Sequence, residues 1–126
     1  MTDKNQYKTY KDLIAWKKSH KVVLHIYKIT KTFPQEEQFG LASQMRRAAV
    51  SVTSNLAEGY GRKSAKDKAR FYIMARGSLI EIDNQLTIAC DVGYMTRAQF
   101  EAIIEQLEEA HKILNGLIRS LETKYD

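Results

Sequence analysis

The 126-residue sequence has one cysteine, one proline and only six glycines, and it has no long apolar run. A single cysteine, Cys90, excludes an intramolecular disulfide and is typical of a reducing compartment. The first residues are polar, unlike those of a signal peptide, and no apolar stretch is long enough to span a bilayer. We therefore expect a soluble cytoplasmic protein that has no membrane partner.

Signatures of common catalytic and cofactor sites are also missing. The sequence has no Gly-rich phosphate loop, nucleophile elbow or zinc-ligand spacing. Glu108 and His111 form one Glu-x-x-His unit of the kind that di-iron bundles use. That chemistry requires a second such unit, and neither His20 nor His25 has a glutamate three residues before it. We predict a protein that is not an enzyme and that needs no metal or cofactor.

Apolar residues recur at three- and four-residue spacing, which predicts long helices, and no alternating strand pattern occurs. Helix 1 is predicted at about 12–32 and ends because Phe33 precedes Pro34. Helix 2 is predicted at about 37–58, and helix 3 from Ser64, with Asp67 placed for a capping box, to about 93. Helix 4 starts at Thr96, with Gln99 placed for a second box.

Short connections of about two to seven residues make consecutive helices antiparallel. We therefore predict an all-α protein, an up-down-up-down four-helix bundle. One domain covers residues 1–126, with loosely ordered ends at about 1–8 and 123–126.

Helices 1 and 3 carry more apolar residues than one core-facing stripe needs. In helix 1 we assign the core to Leu13, Trp16, His20, Val23, Leu24 and Tyr27, and a second row is left over. Exposed apolar rows usually mark an interface, so we expect a homo-oligomer. Close helix approach across that contact would explain Gly77, and a close contact inside the bundle would explain it equally well. The predicted oligomer interface consists of Val22, Ile26 and Ile29 on helix 1 with Ile73, Gly77 and Ile80 on helix 3.

A polar stripe lies along one side of helix 2, beside its apolar stripe. It contains Arg47, Ser51, Asn55 and Glu58 at helical spacing. One interpretation is an anion or nucleic-acid contact. The other, which the position beside the core favours, is a polar network that fixes helix register or subunit contacts.

Positive charge is concentrated in the first part of the chain. Residues 1–76 contain 16 Lys/Arg and 6 Asp/Glu, whereas residues 77–126 contain 4 and 9. Cations at the start of helix 3 oppose the helix dipole, so a phosphate backbone is one natural partner, and a solvated charged surface is the equal alternative. Tyr60 and Phe71 or Tyr72 are close enough in sequence for base stacking, although aromatic residues at such positions more often belong to the core. The predicted nucleic-acid contacts are Arg46, Arg47, Arg62, Lys63, Lys66, Lys68 and Arg70, with Lys17, Lys18 and Lys21 on helix 1.

Three segments carry a resemblance to a known family: YKDLIAWKKSHKVVLHIYKIT, FPQEEQFGLASQMRRAAVSVTSNLAEGYGR and FYIMARGSLIEIDNQL. They resemble the four-helix bundle proteins encoded by intervening sequences of bacterial 23S ribosomal RNA genes, and the resemblance covers about residues 7–120. It implies a ring, most simply a homopentamer. Of the basic positions, Arg46, Arg47, Arg62 and Lys63 match positions typical of the family.

A related branch, the accessory proteins of diversity-generating retroelements, consists of basic pentamers that bind nucleic acid and a reverse transcriptase. Extending that role to this chain is an analogy at the level of the fold. Our leading hypothesis is a non-enzymatic ring that binds structured RNA or DNA through a basic face. The alternative is a ring-shaped protein-interaction scaffold that has a protein partner and no nucleic-acid role.

Overall fold

The computed structural model describes residues 9–125, and over this range the chain is almost entirely helical and has no strand. The predicted all-α four-helix bundle is confirmed. Residues 1–8 and 126, part of the predicted loose ends, lie outside the described residues, whereas residues 123–125 continue the last helix. The four helices are α1 (Ile14–Thr30), α2 (Leu41–Tyr60), α3 (Ala65–Asp91) and α4 (Arg97–Tyr125).

Side-chain caps set where α3 and α4 begin. The Ser64 hydroxyl accepts a hydrogen bond from the Asp67 backbone N–H at 3.0 Å. Before α4, the Thr96 hydroxyl accepts from the Gln99 N–H at 3.1 Å, and the Gln99 amide oxygen accepts from the Thr96 N–H at 2.9 Å. These polar groups satisfy first-turn N–H groups that have no partner inside the helix. The predicted starts of helices 3 and 4 are confirmed.

The start of α2 differs from the prediction. Residues Gln35–Glu37 form a separate 3-10 turn, and α2 begins at Leu41. The Glu37 carboxylate accepts a hydrogen bond from the Leu41 N–H at 3.0 Å, so this residue caps the helix from outside it. An acidic side chain at this position also complements the positive end of the helix dipole.

The helices pack as a square in which each contacts two others. Within the described residues, α1 and α3 each contact α2 and α4, whereas no Cα atoms of the diagonal pairs come within 8 Å of each other. Contacts along neighbouring helices run in opposite sequence order. Lys18 and His25 of α1 meet Glu109 and Gln106 of α4, respectively. Neighbouring helices therefore run in opposite directions, as short connections require.

The core lies along the axis of this square and contains the stripes predicted for α2 and α4. The stripe predicted for α2 is Leu41, Met45, Ala48, Ala49, Val52 and Leu56, and it is buried except at Leu41, which is half-buried. The stripe predicted for α4 is Phe100, Ile103, Ile104, Leu107, Ala110, Leu114, Leu117, Ile118 and Leu121. Six of its nine residues are buried, whereas Phe100, Ile104 and Leu117 are half-buried against the core.

The prediction for α1 was wrong for the row assigned to an interface, which is buried, and for Leu24 and Tyr27, which are exposed, whereas the predicted core residue Val23 is buried. Val22, Ile26 and Ile29 are 1%, 0% and 5% exposed, so they belong to the core and not to an oligomer interface. The predicted core residues Leu24 and Tyr27 are 57% and 41% exposed. The buried row continues through small residues towards the start of the helix, where Ala15 and Ser19 allow close packing against neighbours. The larger side chains of the other row do not fit there.

On α3 the three predicted interface residues face outwards. Ile73 and Ile80 are exposed, and a Cβ atom added to Gly77 would meet no atom within 4 Å. Gly77 therefore serves no close contact inside the bundle. The role of these residues in an oligomer remains a prediction.

Candidate nucleic-acid interface

Positive charge collects at one end of the bundle. At this end α1 begins, α2 joins α3 and α4 finishes; Tyr10 and Arg62 line the same surface depression there. The described stretches 9–18, 58–70 and 113–124 contain ten Lys/Arg and four Asp/Glu. We call this region the basic end. The opposite end, residues 25–46 and 83–104, contains four Lys/Arg and five Asp/Glu.

Two arginines of the basic end are held by one aromatic ring and two carboxylates. The Arg62 guanidinium lies 4.6 Å from the Phe71 ring centre, and the Arg70 guanidinium lies 4.5 Å from it. Arg62 donates to Glu58 at 2.8 Å, and Arg70 donates to Asp67 at 3.0 Å. Their orientation is therefore set within the protein, and part of their charge is offset.

Lys68 stabilises the turn between α2 and α3. Its ammonium donates to the Tyr60 carbonyl oxygen at 2.6 Å and lies 5.3 Å from the Tyr60 ring centre. A cation at the last carbonyl groups of a helix satisfies them and complements the negative end of the dipole. The Lys68 ammonium is thus bonded within the protein and stabilises the fold of the basic end.

Four of the predicted contact lysines point into solvent. Lys63 and Lys66 follow α2 and open α3, and Lys17 and Lys21 lie on α1; all are exposed. None of them forms an ion pair with a carboxylate among residues 9–124. By contrast, Lys18 pairs with Glu109 at 3.2 Å. The exposed lysines are the charges that a polyanion could neutralise without breaking an existing bond.

Arg46 lies near the opposite end and is engaged inside the protein. Its guanidinium donates to the Thr30 hydroxyl at 2.9 Å and to the Gln38 side-chain oxygen at 3.2 Å. Gln38 in turn donates to the Thr30 and Phe33 carbonyl oxygens. The arginine therefore ties the end of α1 to α2, and the structure does not bring it to the basic end.

The neighbouring Arg47 is exposed, and the rest of the polar stripe divides between two structural tasks. Ser51 hydrogen bonds to Ser78 of α3 at 2.9 Å, and the Asn55 amide donates to the Ser51 carbonyl oxygen at 2.9 Å. Glu58 pairs with Arg62. Arg47 and Glu81 line one depression, but no ion pair joins them in the structure. The structural interpretation thus accounts for the stripe beyond Arg47, which lies away from the basic end.

Gly59 is a residue whose importance the sequence did not show. The sequence pattern makes it part of a helix ending, yet it is a buried residue inside α2. A Cβ atom here would lie 2.7 Å from the Tyr72 ring and 2.9 Å from Phe71. The glycine therefore lets α2 and α3 approach closely beneath the surface of the basic end. Glycine next to an aromatic residue is a common sequence pattern, so the sequence alone does not predict the close contact of Gly59 with Tyr72 and Phe71 on the next helix.

Tyr72 lies below the surface of the basic end and cannot stack on a base from outside. It is 2% exposed, and burial is the main cause that raises the pKa of Tyr72 to about 12. The hydroxyl therefore stays protonated at neutral pH. Of the three aromatic residues predicted as candidates for base stacking, Phe71 and Tyr60 remain near the surface, and cations already cover both.

The described residues contain no group of three or more His, Cys, Asp or Glu side chains placed to hold a metal ion. Glu108 and His111, the single Glu-x-x-His unit, line a depression between α3 and α4 together with Asp83. None of the described helices combines the length and the apolar character needed to cross a bilayer.

Comparison with known proteins gives one family and one informative structure. The family model described as 23S rRNA-intervening sequence protein matches residues 11–116. A crystal structure from Bacteroides thetaiotaomicron VPI-5482, of a protein with unknown function from the S23 ribosomal protein family, is similar with a TM-score of 0.79 and 25% identity. The similarity covers 86% of this chain and 98% of that one. No curated protein matches the sequence.

Proposed function

Since this chain belongs to the 23S rRNA-intervening sequence protein family, we propose that it is a non-enzymatic, self-associating bundle that binds structured RNA or DNA through its basic end. The observation that carries this proposal is the placement of ten Lys/Arg against four Asp/Glu at one end of the bundle. A field of one sign at one end attracts a polyanion and orients it. The resemblance to accessory proteins of retroelements supports the same role by analogy.

Lys63 and Lys66 are the central contacts in this proposal. Both are exposed beside the start of α3, where the N–H groups of the first helical turn already favour an anion. Neither is bonded to a carboxylate in the described chain. Phosphate groups would pair with both lysines and release counterions, so affinity falls steeply as salt rises.

Self-association is supported by two exposed apolar surfaces on opposite sides of the square. One lies on α1 and α2 and contains Tyr27 and Val50; the other lies on α3 and contains Ile73 and Ile80. The first side also has Arg47, whereas Asp83 and Glu108 lie beside Ile80 on the second. Around Ile73 the second surface also has Lys66 and Arg70, so the two surfaces complement each other in charge at its Ile80 part. Two different surfaces that join make a head-to-tail contact, which closes into a ring when the rotation allows it. The subunit number of five rests on the family resemblance.

The test is a matched pair of charge reversals. In Lys63→Glu/Lys66→Glu, two exposed lysines of the basic end change sign; in Lys28→Glu/Lys31→Glu, two exposed lysines near the opposite end undergo the same change. Fluorescence anisotropy with hairpin RNA and duplex DNA should show a loss of about tenfold or more in affinity for the first variant and a much smaller loss for the second.

Circular dichroism and sedimentation must show the same helix content and oligomer in both variants. Equal weakening by the two variants would mean that only net charge matters, and the proposed site would be wrong. If the unaltered protein binds no nucleic acid at low salt, the proposal fails as a whole. A solution species of only 14.5 kDa at micromolar concentration would refute self-association.

The alternative function is a protein-interaction scaffold, and one observation favours it. Phe39, in the turn before α2, is 94% exposed. Together with Tyr27 and Val50, which line the same depression, it forms an exposed apolar patch, and such patches are typical of contact surfaces. Self-association without nucleic-acid binding would leave this alternative as the better proposal.

A further inference from the structure

We propose that the basic end recognises base-paired nucleic acid through its phosphates and does not bind unpaired strands by base stacking. This inference rests on the proposed function and specifies its ligand class. Proteins that bind single strands combine a cationic groove with open aromatic rings, on which successive bases stack. Duplex segments require only cations that reach the backbone. The two modes therefore differ in whether aromatic rings are free.

The aromatic rings described at the basic end already have partners. The Arg62 and Arg70 guanidinium groups both lie over the Phe71 ring, and the Lys68 ammonium lies over the Tyr60 ring. Each cation is also held by an ion pair or a hydrogen bond, so uncovering a ring would break a second contact as well.

The aromatic residues at the start of α1 are engaged with each other. Trp16 stacks on His20 with 4.6 Å between ring centres and an angle of 11° between the planes. Tyr10 meets the Trp16 ring edge-on at 5.5 Å. These rings pack along the chain that enters the bundle, and a base would have to displace one of them to stack there.

The exposed lysines are suited to phosphate groups. Lys63 and Lys66 flank the α2–α3 turn, and Lys17 lies on the neighbouring α1. The end of a four-helix square is roughly 20 Å across, because packed helix axes lie about 8–10 Å apart. Cations distributed over such a width can reach phosphates of both strands of a duplex. A single flexible strand would contact the same cations, but no aromatic ring would hold its bases in place.

Among the residues that the structure describes, more exposed aromatic rings lie elsewhere. Tyr27 and Phe39, which are 41% and 94% exposed, line one depression with Arg46 and Arg47, away from the basic end. The Arg46 guanidinium lies 5.6 Å from the Tyr27 ring centre, so Phe39 is the more open of the two. If unpaired strands do bind by stacking, these two residues are the place where it would occur. Substituting them provides a direct control on the assignment of the basic end.

The test compares a stem-loop RNA with an unpaired RNA of equal length, and hence equal charge, at one salt concentration. The stem-loop should bind about tenfold or more tightly, and Lys63→Glu/Lys66→Glu should remove that advantage. Phe71→Leu and Tyr60→Leu should change its affinity by less than about twofold, because neither ring contacts a base. The variant Tyr7→Leu/Tyr125→Leu, which alters two rings not described in the structure, should behave in the same way.

Each result decides between distinct conclusions. Equal or tighter binding of the unpaired RNA overturns the inference and leaves the proposed function intact. So does a loss of affinity on substitution of Phe71, Tyr60, Tyr7 or Tyr125 that is larger for the unpaired RNA than for the stem-loop. Loss of unpaired binding in Tyr27→Leu/Phe39→Leu would move the stacking site to that surface. Binding of neither RNA overturns both the inference and the proposed function.

Discussion

The two ends of the bundle differ in charge, although cations lie over aromatic rings at both, since Arg46 covers Tyr27 and Arg97 covers Phe100 at the opposite end. At the basic end, cations cover aromatic rings and exposed lysines remain; at the opposite end, Phe33 packs on Tyr94 at 5.4 Å, and the Tyr94 hydroxyl donates to Glu37 at 2.8 Å. Glu37 also caps α2, so its carboxylate serves two connections at once. The opposite end uses Glu37 to join its helices, whereas the basic end has the larger excess of positive charge, ten Lys/Arg against four Asp/Glu.

The largest expected effect concerns the close packing beneath the basic end. Gly59→Ala should destabilise the protein by about 1–3 kcal/mol, because the added Cβ would collide with the Tyr72 ring and with Phe71. Gly61→Ala is the matched control, since its Cβ would meet only the Glu58 carbonyl oxygen at an ordinary 3.7 Å. Urea unfolding of both variants measures the difference. Equal stability of the two would show that α2 and α3 are not as close here as the structure places them.

Two adjacent arginines should separate structural from exposed charge. Arg46→Met should destabilise the fold by about 1–2 kcal/mol, because Thr30 and Gln38 lose a charged hydrogen-bond donor in a half-buried setting. Arg47→Met should stay within about 0.5 kcal/mol, as is usual for an exposed side chain. Thermal unfolding monitored by circular dichroism distinguishes them. A larger loss of stability for Arg47→Met than for Arg46→Met would show that Arg47, and not Arg46, has the structural role.

A smaller effect tests whether an exposed lysine in the first turn of α3 lowers the stability of the fold. Lys66→Glu should stabilise the monomeric fold by about 0.3–1 kcal/mol, because it places an anion in the first turn of α3. Lys28→Glu should destabilise by a similar amount, because Lys28 lies in the last turn of α1. Unfolding midpoints at low salt measure both changes. Destabilisation by Lys66→Glu would point to a structural role for this lysine.

The smallest effect is a pH dependence at the opposite end. Hydrogen bonds from the Leu41 N–H and then the Tyr94 hydroxyl lower the pKa of Glu37 below its ordinary 4.5. A lowered pKa stabilises the fold above pH 4.5, and this contribution disappears as the pH falls through the folded-state value. Glu37→Gln should therefore have a lower Tm than the unaltered protein at pH 7, and the gap should narrow at pH 3.

The control is Glu36→Gln, a change at an exposed residue of the same turn. It should leave the Tm difference from the unaltered protein near zero at both pH values. A gap for Glu37→Gln that does not narrow in acid would mean that its carboxylate contributes through shape and not through charge.

Helix periodicity predicted much of the fold and less of the site. The stripes on α2 and α4 were predicted well, because each has one clear apolar face. On α1 both faces are apolar, and the choice depended on Ala15 and Ser19, whose small size matters only when neighbouring helices press against them. The sequence showed the group of cations at the α2–α3 turn, but it did not show that Lys68 donates a hydrogen bond to the Tyr60 carbonyl oxygen.

Local interactions explain what the sequence determined by itself: the four helices, their caps at Ser64 and Thr96, and the excess of positive charge in the first part of the chain. These follow from residues at most a few positions apart. Only the tertiary structure decided which row of α1 is buried. It also showed that a side chain at position 59 would collide with α3, and that Arg46 is bonded inside the protein whereas Arg47 is exposed. Those outcomes depend on which side chains meet across helices that are distant in sequence.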